Sequence, residues 1–395
     1  LNGSGHCKQA VTGFEWNLCV RWSTKVDLRI VENKATGQME QMRRHVFPLA
    51  MFLVALLMVR QIYPYASGLE PTVVDGYEVN RAASQLGGPT CLVWANTTHL
   101  LVCDRDGGQI MELDIETDQR RILLDGLDRP HGLLLHQGQA IVSEAGRLSS
   151  FAISEEGFFE TQNVLVTGIP VGAHQTNNVD VMANGTLIWH SGSTCNVCEE
   201  DDSRNAALLW VNATTGDHGV LASGVRNSFD GAWVDGHGYF FTDNGRDWEG
   251  DHPQEELNFL VEGAAYGWPD DEPDTPVPEG TMAPVGQWTP HTSMNGLDLR
   301  PVHSSLPGLS PAEGFTFYAT VYGSWNTLLP QGHEILRIDV FPGDEPGAYS
   351  TEITRFAWDA GTPVPLAFHP DGTLYYAIFG GGGTLFKIDA VSESN

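Results

Sequence analysis

Residues Pro363–Asp389 read PVPLAFHPDGTLYYAIFGGGGTLFKID. An apolar strand, a turn at Asp371-Gly372, a second apolar strand, a glycine break and a third strand ending in Ile388-Asp389 follow one another within this stretch. Short apolar runs bounded by Gly and Asp are strand signals, and the glycine of Asp-Gly supplies the positive φ that a tight hairpin needs. The arrangement recurs upstream, at Trp94–Asp114, Pro130–Ile153, Gly172–Asn212, Val225–Leu260 and Met294–Asp339, with Asn184-Gly185 and Asp235-Gly236 at the equivalent turn. Six copies in roughly 320 residues give just over 50 for each, the size of a four-stranded propeller blade with long loops. The pattern predicts an all-β chain, a six-bladed β-propeller behind an N-terminal segment. Thr72-Val73-Val74 to Tyr77-Glu78-Val79, ahead of the first copy, is expected to close the ring against the last blade and leave no open sheet edge.

The 395 residues suffice for a sizeable core, and 44 Gly, 22 Pro and 11 Trp suit many short strands and turns. The formal net charge is −29. Beyond residue 67 there are 13 basic and 46 acidic residues, with Lys387 the one lysine. Such a body repels phosphate backbones and anionic lipid surfaces, which argues against nucleic acid as a partner.

Residues 1–41 show no sustained period and are expected to be upstream or unstructured sequence. Residues 42–67 read as a signal peptide or an N-terminal anchor: Arg43-Arg44-His45 precedes the apolar run Val46–Val59, and Ala66-Ser67-Gly68 follows. As a helix that run spans about 21 Å, short of a hydrocarbon core of roughly 30 Å. Export is therefore expected, with residues 68–395 as the propeller and an acidic, Pro-rich insertion at 270–290 overhanging the site mouth. Cys91 and Cys103 flank a hairpin that can bring their sulfurs together. Cys195-x-x-Cys198 has no second pair to complete a zinc site and no βαβ context, so it reads as a loop-closing disulfide, with free thiols as the alternative.

Between Gly172 and Pro269 lie the segments that carry chemistry: Gly172-Ala173-His174-Gln175, Gly192-Ser193-Thr194-Cys195-Asn196-Val197-Cys198, Gly224-Val225-Arg226-Asn227, Asp243-Asn244-Gly245-Arg246-Asp247-Trp248, Glu255-Glu256-Leu257-Asn258 and Tyr266-Gly267-Trp268-Pro269. Taken singly, His174 is equally a turn histidine and Arg226 a strand-end cation. Asp243, Asp247, Glu249 and Asp251 are equally a solvated acidic loop. His131, in Arg129-Pro130-His131-Gly132, lies either on the central funnel or in a turn between blades.

In order and spacing these segments, continued by Gly323-Ser324-Trp325-Asn326 and His369-Pro370-Asp371-Gly372, resemble the soluble quinoprotein glucose/sorbosone dehydrogenase family, sorbosone dehydrogenase-like members above all. The resemblance covers roughly residues 72–389. It implies a propeller that binds pyrroloquinoline quinone (PQQ) and calcium, oxidises a sugar and passes the electrons to an acceptor that the sequence does not identify. It implies that His174 is the general base and that Arg226 stands beside the reacting quinone carbonyl. Asn227, Arg129, His131, Arg246, Trp325 and Asn326 are then expected around the cofactor. Backbone oxygens at Gly245 and Arg246 are expected on one calcium, and Glu255, Glu256 and Tyr266 on a second, structural one.

Three positions depart from the family pattern. Thr327, Thr362 and Asn177 stand where basic residues that hold the PQQ carboxylates are expected. Two further readings follow. One is a metal-dependent lactonase using Asp230, Asn178 and Asn295; the other is a non-catalytic propeller that binds glycans or a protein.

Overall fold

In a computed structural model of the chain, the described residues are 46–58, 62, 68, 70–247, 252–324, 327 and 329–391. Two units separate at Leu57/Met58. The first holds residues 46–57 of a helix, nearly all exposed, whose next residue, Met58, falls to the second. No helix among the described residues is long and apolar enough to cross a membrane.

The second unit is a ring of six antiparallel sheets. Their innermost strands, Pro89–Trp94, Gly132–His136, Thr176–Val181, Gly231–Val234, Met294–Leu299 and Pro363–Phe368, neighbour one another in cyclic order. This is the six-bladed β-propeller that the repeat predicts, each copy supplying the inner strands of one blade, save that the innermost strand of blade 1 precedes the copy read at Trp94–Asp114. Gly185, Gly236 and Gly372 have φ of 84°, 80° and 93°, the left-handed conformation assigned to that turn.

Blade strands are apolar on both faces because each blade is packed between two others. In His99–Asp104, Leu100 and Val102 pack with Tyr375 and Leu385 of blade 6, whereas Leu101 and Cys103 pack with Leu133 and Val142 of blade 2. Six such clusters fill the six interfaces between blades. Alternation between a wet and a dry face is lost, and continuous apolar runs replace it.

Closure differs in one detail from expectation. Tyr77–Ser84 forms the outer strand of blade 6, from Tyr77 opposite Ala390 to Ser84 opposite Thr384. Thr72–Val73 instead pairs with Tyr349–Trp358 of blade 5. The turn at Gly76, with φ of 91°, sends the two segments to different blades. The acidic insertion is also shorter than read, since Gly286–Trp288 is the outer strand of blade 4. Cys91 and Cys103 face each other across their hairpin and are joined, as are Cys195 and Cys198.

Candidate active site

Two positions in the repeat build one mouth of the ring: the residues leading into each inner strand, and those just past the second strand of each blade. His174-Gln175 and Ser293 belong to the first kind; Arg105, Asn244, Tyr322 and Phe379 belong to the second. There all of these but Phe379 line a cleft of about 530 Å³ or a smaller recess of about 210 Å³, which share Ala173, His174 and Asn227. Rigid strands thus hold loop residues over one concavity.

His174 and Arg226 line the same cleft. Nδ1 of His174 lies 2.8 Å from Ser193 Oγ and 3.2 Å from the Ser193 carbonyl. The hydroxyl proton of Ser193 is donated to the Cys195 carbonyl at 2.7 Å. Both oxygens can therefore only accept, so Nδ1 carries the hydrogen and Nε2 keeps its lone pair. Burial, reinforced by the Arg226 charge, lowers the His174 pKa to about 3, so the ring is neutral at physiological pH. Gly192 makes this approach possible: a Cβ there would lie 2.7 Å from His174 Cβ and 3.0 Å from Asn227 Oδ1.

Arg226 is 4% exposed. Its Nε donates to the Asn196 carbonyl at 3.1 Å, Nη1 to the Asn244 carbonyl at 3.1 Å, and Nη2 to Asn196 Oδ1 at 2.8 Å and Asp247 Oδ2 at 3.2 Å. One Nη1 hydrogen has no protein acceptor among the described residues. Asp243 is no solvated loop residue, for its carboxylate accepts the backbone N–H groups of Arg226 and Asn227 at 2.9 and 2.7 Å. It fixes the turn that presents both side chains. Asn227 Oδ1 in turn accepts from Asn177 Nδ2 at 3.1 Å.

No protein-family model matches the chain, and no curated protein sequence does. Solved structures do. The holo PQQ domain of pyranose dehydrogenase from Coprinopsis cinerea superposes with a TM-score of 0.68 at 18% identity, covering 81% of this chain and 97% of that one. A calcium structure of a Trichoderma reesei enzyme of carbohydrate-active family AA12 gives 0.67 at 19%, covering 82% and 97%. PQQ-bound aldose sugar dehydrogenase from Streptomyces coelicolor gives 0.62 at 19%, covering 80% and 99%. The chain has the fold of the quinoprotein sugar dehydrogenases. At these identities the likeness is one of fold, and fitness for the quinone has to be judged on this chain's own residues.

PQQ carries three carboxylates, so a quinoprotein pocket needs cations. Arg246 does not serve: it is 1% exposed and turned to the acidic insertion, donating to Asp271 Oδ1 at 2.6 Å, the Pro269 carbonyl at 2.7 Å and Glu272 Oε1 at 3.2 Å. The insertion is thereby anchored to the segment that carries Gly245, and none of its residues lines either cavity. Arg129 does line the recess, with its Nε 3.0 Å from Asp128. Beside it stands Arg105, which the sequence reading passed over. The repeat register holds the missing signal, since Arg105 occupies in blade 1 the place of Asn244 in blade 4. With Arg226 these make three cations around one concavity, and the site suits an anionic quinone.

His131 lines the recess and also the channel through the ring, a cavity of about 320 Å³. Its Nδ1 lies 2.9 Å from Asn177 Oδ1, and burial holds its pKa down to about 4. Asn177 is thus engaged by His131, Asn227 and the Ser228 carbonyl. Thr362 donates to the Phe379 carbonyl and Thr327 to the Leu329 carbonyl. Trp325, Asn326 and Trp248 lie outside the described residues.

For a hard cation the cleft offers two orphaned acceptors, Glu255 Oε2 and Asn244 Oδ1, both buried and without a hydrogen-bond partner. Gly245 lines the same cleft. A Cβ at Gly245 would sit 2.7 Å from Pro253, so only glycine lets that loop close. This donor set fits calcium. Glu256 accepts from Asn258 Nδ2 at 3.1 Å, and Asn258 Oδ1 is a further buried acceptor without a partner, absent from the sequence reading. Tyr266 is committed through its side chain. Its hydroxyl already accepts from Val261 N–H at 2.9 Å and donates to the Phe259 carbonyl at 2.6 Å, and its ring packs in the core. Among the described residues, Cys195, Cys198 and Glu200 are the one group of three metal-type side chains within ligand reach, and the disulfide removes its sulfurs.

The lactonase set does not assemble in one cavity. Asn178 and Asp230 bond to each other in the channel, whereas Asn295 lines the cleft and bonds Asn244. Asp230 and Asp298 accept backbone N–H groups of Leu297 and Phe368 in the innermost strands of the following blades.

Proposed function

We propose that the chain is an exported, PQQ- and calcium-dependent dehydrogenase that oxidises an aldose or sugar aldehyde to a lactone or acid. One observation carries the reading: the bare Nε2 of His174 and the buried guanidinium of Arg226 line one cleft. Removing a hydroxyl hydrogen as a proton and a carbon-bound hydrogen as a hydride needs a neutral base on one side and a fixed cation on the other. His174 Nε2 takes the hydroxyl proton. Arg226, with one Nη1 hydrogen uncommitted among the described residues, would stabilise the oxyanion that develops as charge moves. PQQ, when bound, supplies the two-electron acceptor. Arg105, Arg129 and Asn227 hold its polar edge, and Glu255, Asn244 and Gly245 hold the calcium. The electron acceptor remains to be identified. Two disulfides support an oxidising compartment, and the short apolar helix supports an export signal.

Titrating metal-loaded protein with PQQ tests the reading directly. Saturable quenching of tryptophan fluorescence and dye reduction with at least one sugar of an aldose panel are expected. Neither effect with any sugar would overturn it.

Calcium has its own signature. Burial raises the pKa of Asp243 and Glu255 to about 7 and of Glu256 to about 8. Above the ordinary carboxylate range the folded form therefore holds protons that the unfolded chain has lost, and stability falls as pH rises through these values. The depressed histidines act in the opposite sense, but only below pH about 6.5. Between pH 6.5 and 8.5 the Tm of metal-free protein should fall, and millimolar Ca²⁺ should restore more of it at the upper end. A calcium shift that is the same at both ends would exclude Glu255 as a ligand.

A further inference from the structure

The Cys195–Cys198 disulfide has no part in the proposed reaction, yet the loop it closes grips both reacting groups. Asn196, inside that loop, uses every polar atom of its side chain. Its Oδ1 accepts from Arg226 Nη2 at 2.8 Å and from Asp247 N–H at 2.9 Å, and its Nδ2 donates to the Asp247 carbonyl at 3.3 Å. Its main-chain carbonyl accepts from Arg226 Nε and from Trp268 Nε1, both at 3.1 Å. Three of the four guanidinium bonds described above thus run to Asn196 or to Asp247, which Asn196 holds. One residue earlier, the Cys195 carbonyl takes the Ser193 hydroxyl hydrogen that fixes the His174 tautomer. Glu200 ties the near end of the loop to Thr194 N and Oγ1, both at 2.7 Å.

We propose that Asn196 is a positioning residue for Arg226, and that the Cys195–Cys198 disulfide is a latch whose reduction by a dithiol switches the site off reversibly. A dithiol attacks one sulfur, the S–S bond breaks, and its second thiol closes a ring. Two electrons pass to the protein, leaving two cysteine thiols and one cyclic disulfide. Access favours selectivity. Both cysteines of the latch are partly exposed and Val197 between them is 41% exposed, whereas Cys91 and Cys103 are 7% and 0% exposed.

The effect on catalysis rests on the dehydrogenase reading; the effect on His174 does not. The test therefore has two readouts on the full chain, oxidised or treated with dithiothreitol until two thiols are counted. In cofactor-free protein, side-chain ¹⁵N spectra assigned with His174→Gln should show the Nδ1–H tautomer when oxidised and a largely Nε2–H ring when reduced. In PQQ-loaded protein, reduction should lower kcat by about 10²-fold, the order expected for a misplacement near 1 Å, and reoxidation should restore it. Asn196→Ala should lower kcat equally without reductant, and Asn196→Asp, which keeps the Oδ1 acceptor for Arg226 and Asp247 N–H and gives up only the long Nδ2 bond, should retain most of it. A tautomer change without dehydrogenase activity in any state would uphold the latch and sink the dehydrogenase reading. An unchanged spectrum with two thiols counted, or loss of far-UV circular dichroism on reduction, would overturn the latch.

Discussion

His174→Gln should lower kcat by about 10²–10⁴-fold, the contribution of a placed general base, while PQQ affinity stays within a few-fold. The two quantities separate because the bare Nε2 is the part of the ring left for substrate, whereas Nδ1 is spent on Ser193. Glutamine keeps the volume and a donor but accepts no proton near neutrality. The pH profile supplies a second check. An ordinary imidazole titrates near 6.5, but burial and Arg226 hold this one down to about 3. The acid limb of kcat/KM, which reports free enzyme, should therefore lie well below pH 6, because only there does the imidazolium form and the lone pair disappear. A limb centred near 6.5 would show that another group is the base.

Arg226→Lys should cost about 10²–10³-fold in kcat although the charge survives, the usual loss when a preorganised donor to a developing oxyanion is removed. A guanidinium presents a planar fork, and here its branches reach Asn196 and Asn244 from fixed angles. An ammonium on a flexible stem cannot meet those acceptors together. The comparison that isolates charge is Arg226→Met. Loss of the neighbouring cation should raise the His174 pKa, whereas Arg226→Lys should leave it low, and NMR titration of the assigned ring reads the difference. Equal His174 pKa values in the two variants would mean that the guanidinium does not act on the ring through charge.

Much of this was legible in the chain itself, for identifiable reasons. Blade strands buried on both faces leave continuous apolar runs, and Gly185, Gly236 and Gly372 mark one turn in three blades. Copy number follows from such marks. His174 and Arg226 stood in segments whose order is itself a signal, and the fold brings both to one cleft. Orientation was harder to read. Arg246 and Arg226 both follow a glycine or valine near an acidic loop, but which way a buried arginine turns depends on acceptors distant in sequence, here Asp271 and Glu272 against Asn196 and Asn244. Arg105 escaped notice because no motif surrounds it, and only alignment of the blades exposes its place. A tyrosine whose hydroxyl is spent on its own hairpin backbone, as in Tyr266, looks the same in sequence as one whose hydroxyl is free to bind.

The pairing of Tyr77–Ser84 with Thr384–Ala390 has a consequence for biogenesis. A ribosome delivers the second of these segments long after the first, so blade 6 cannot assemble until the strands of the five other blades have been made. Until then the nascent chain presents an unsealed circle of sheets with bare flanks at both sides of the gap.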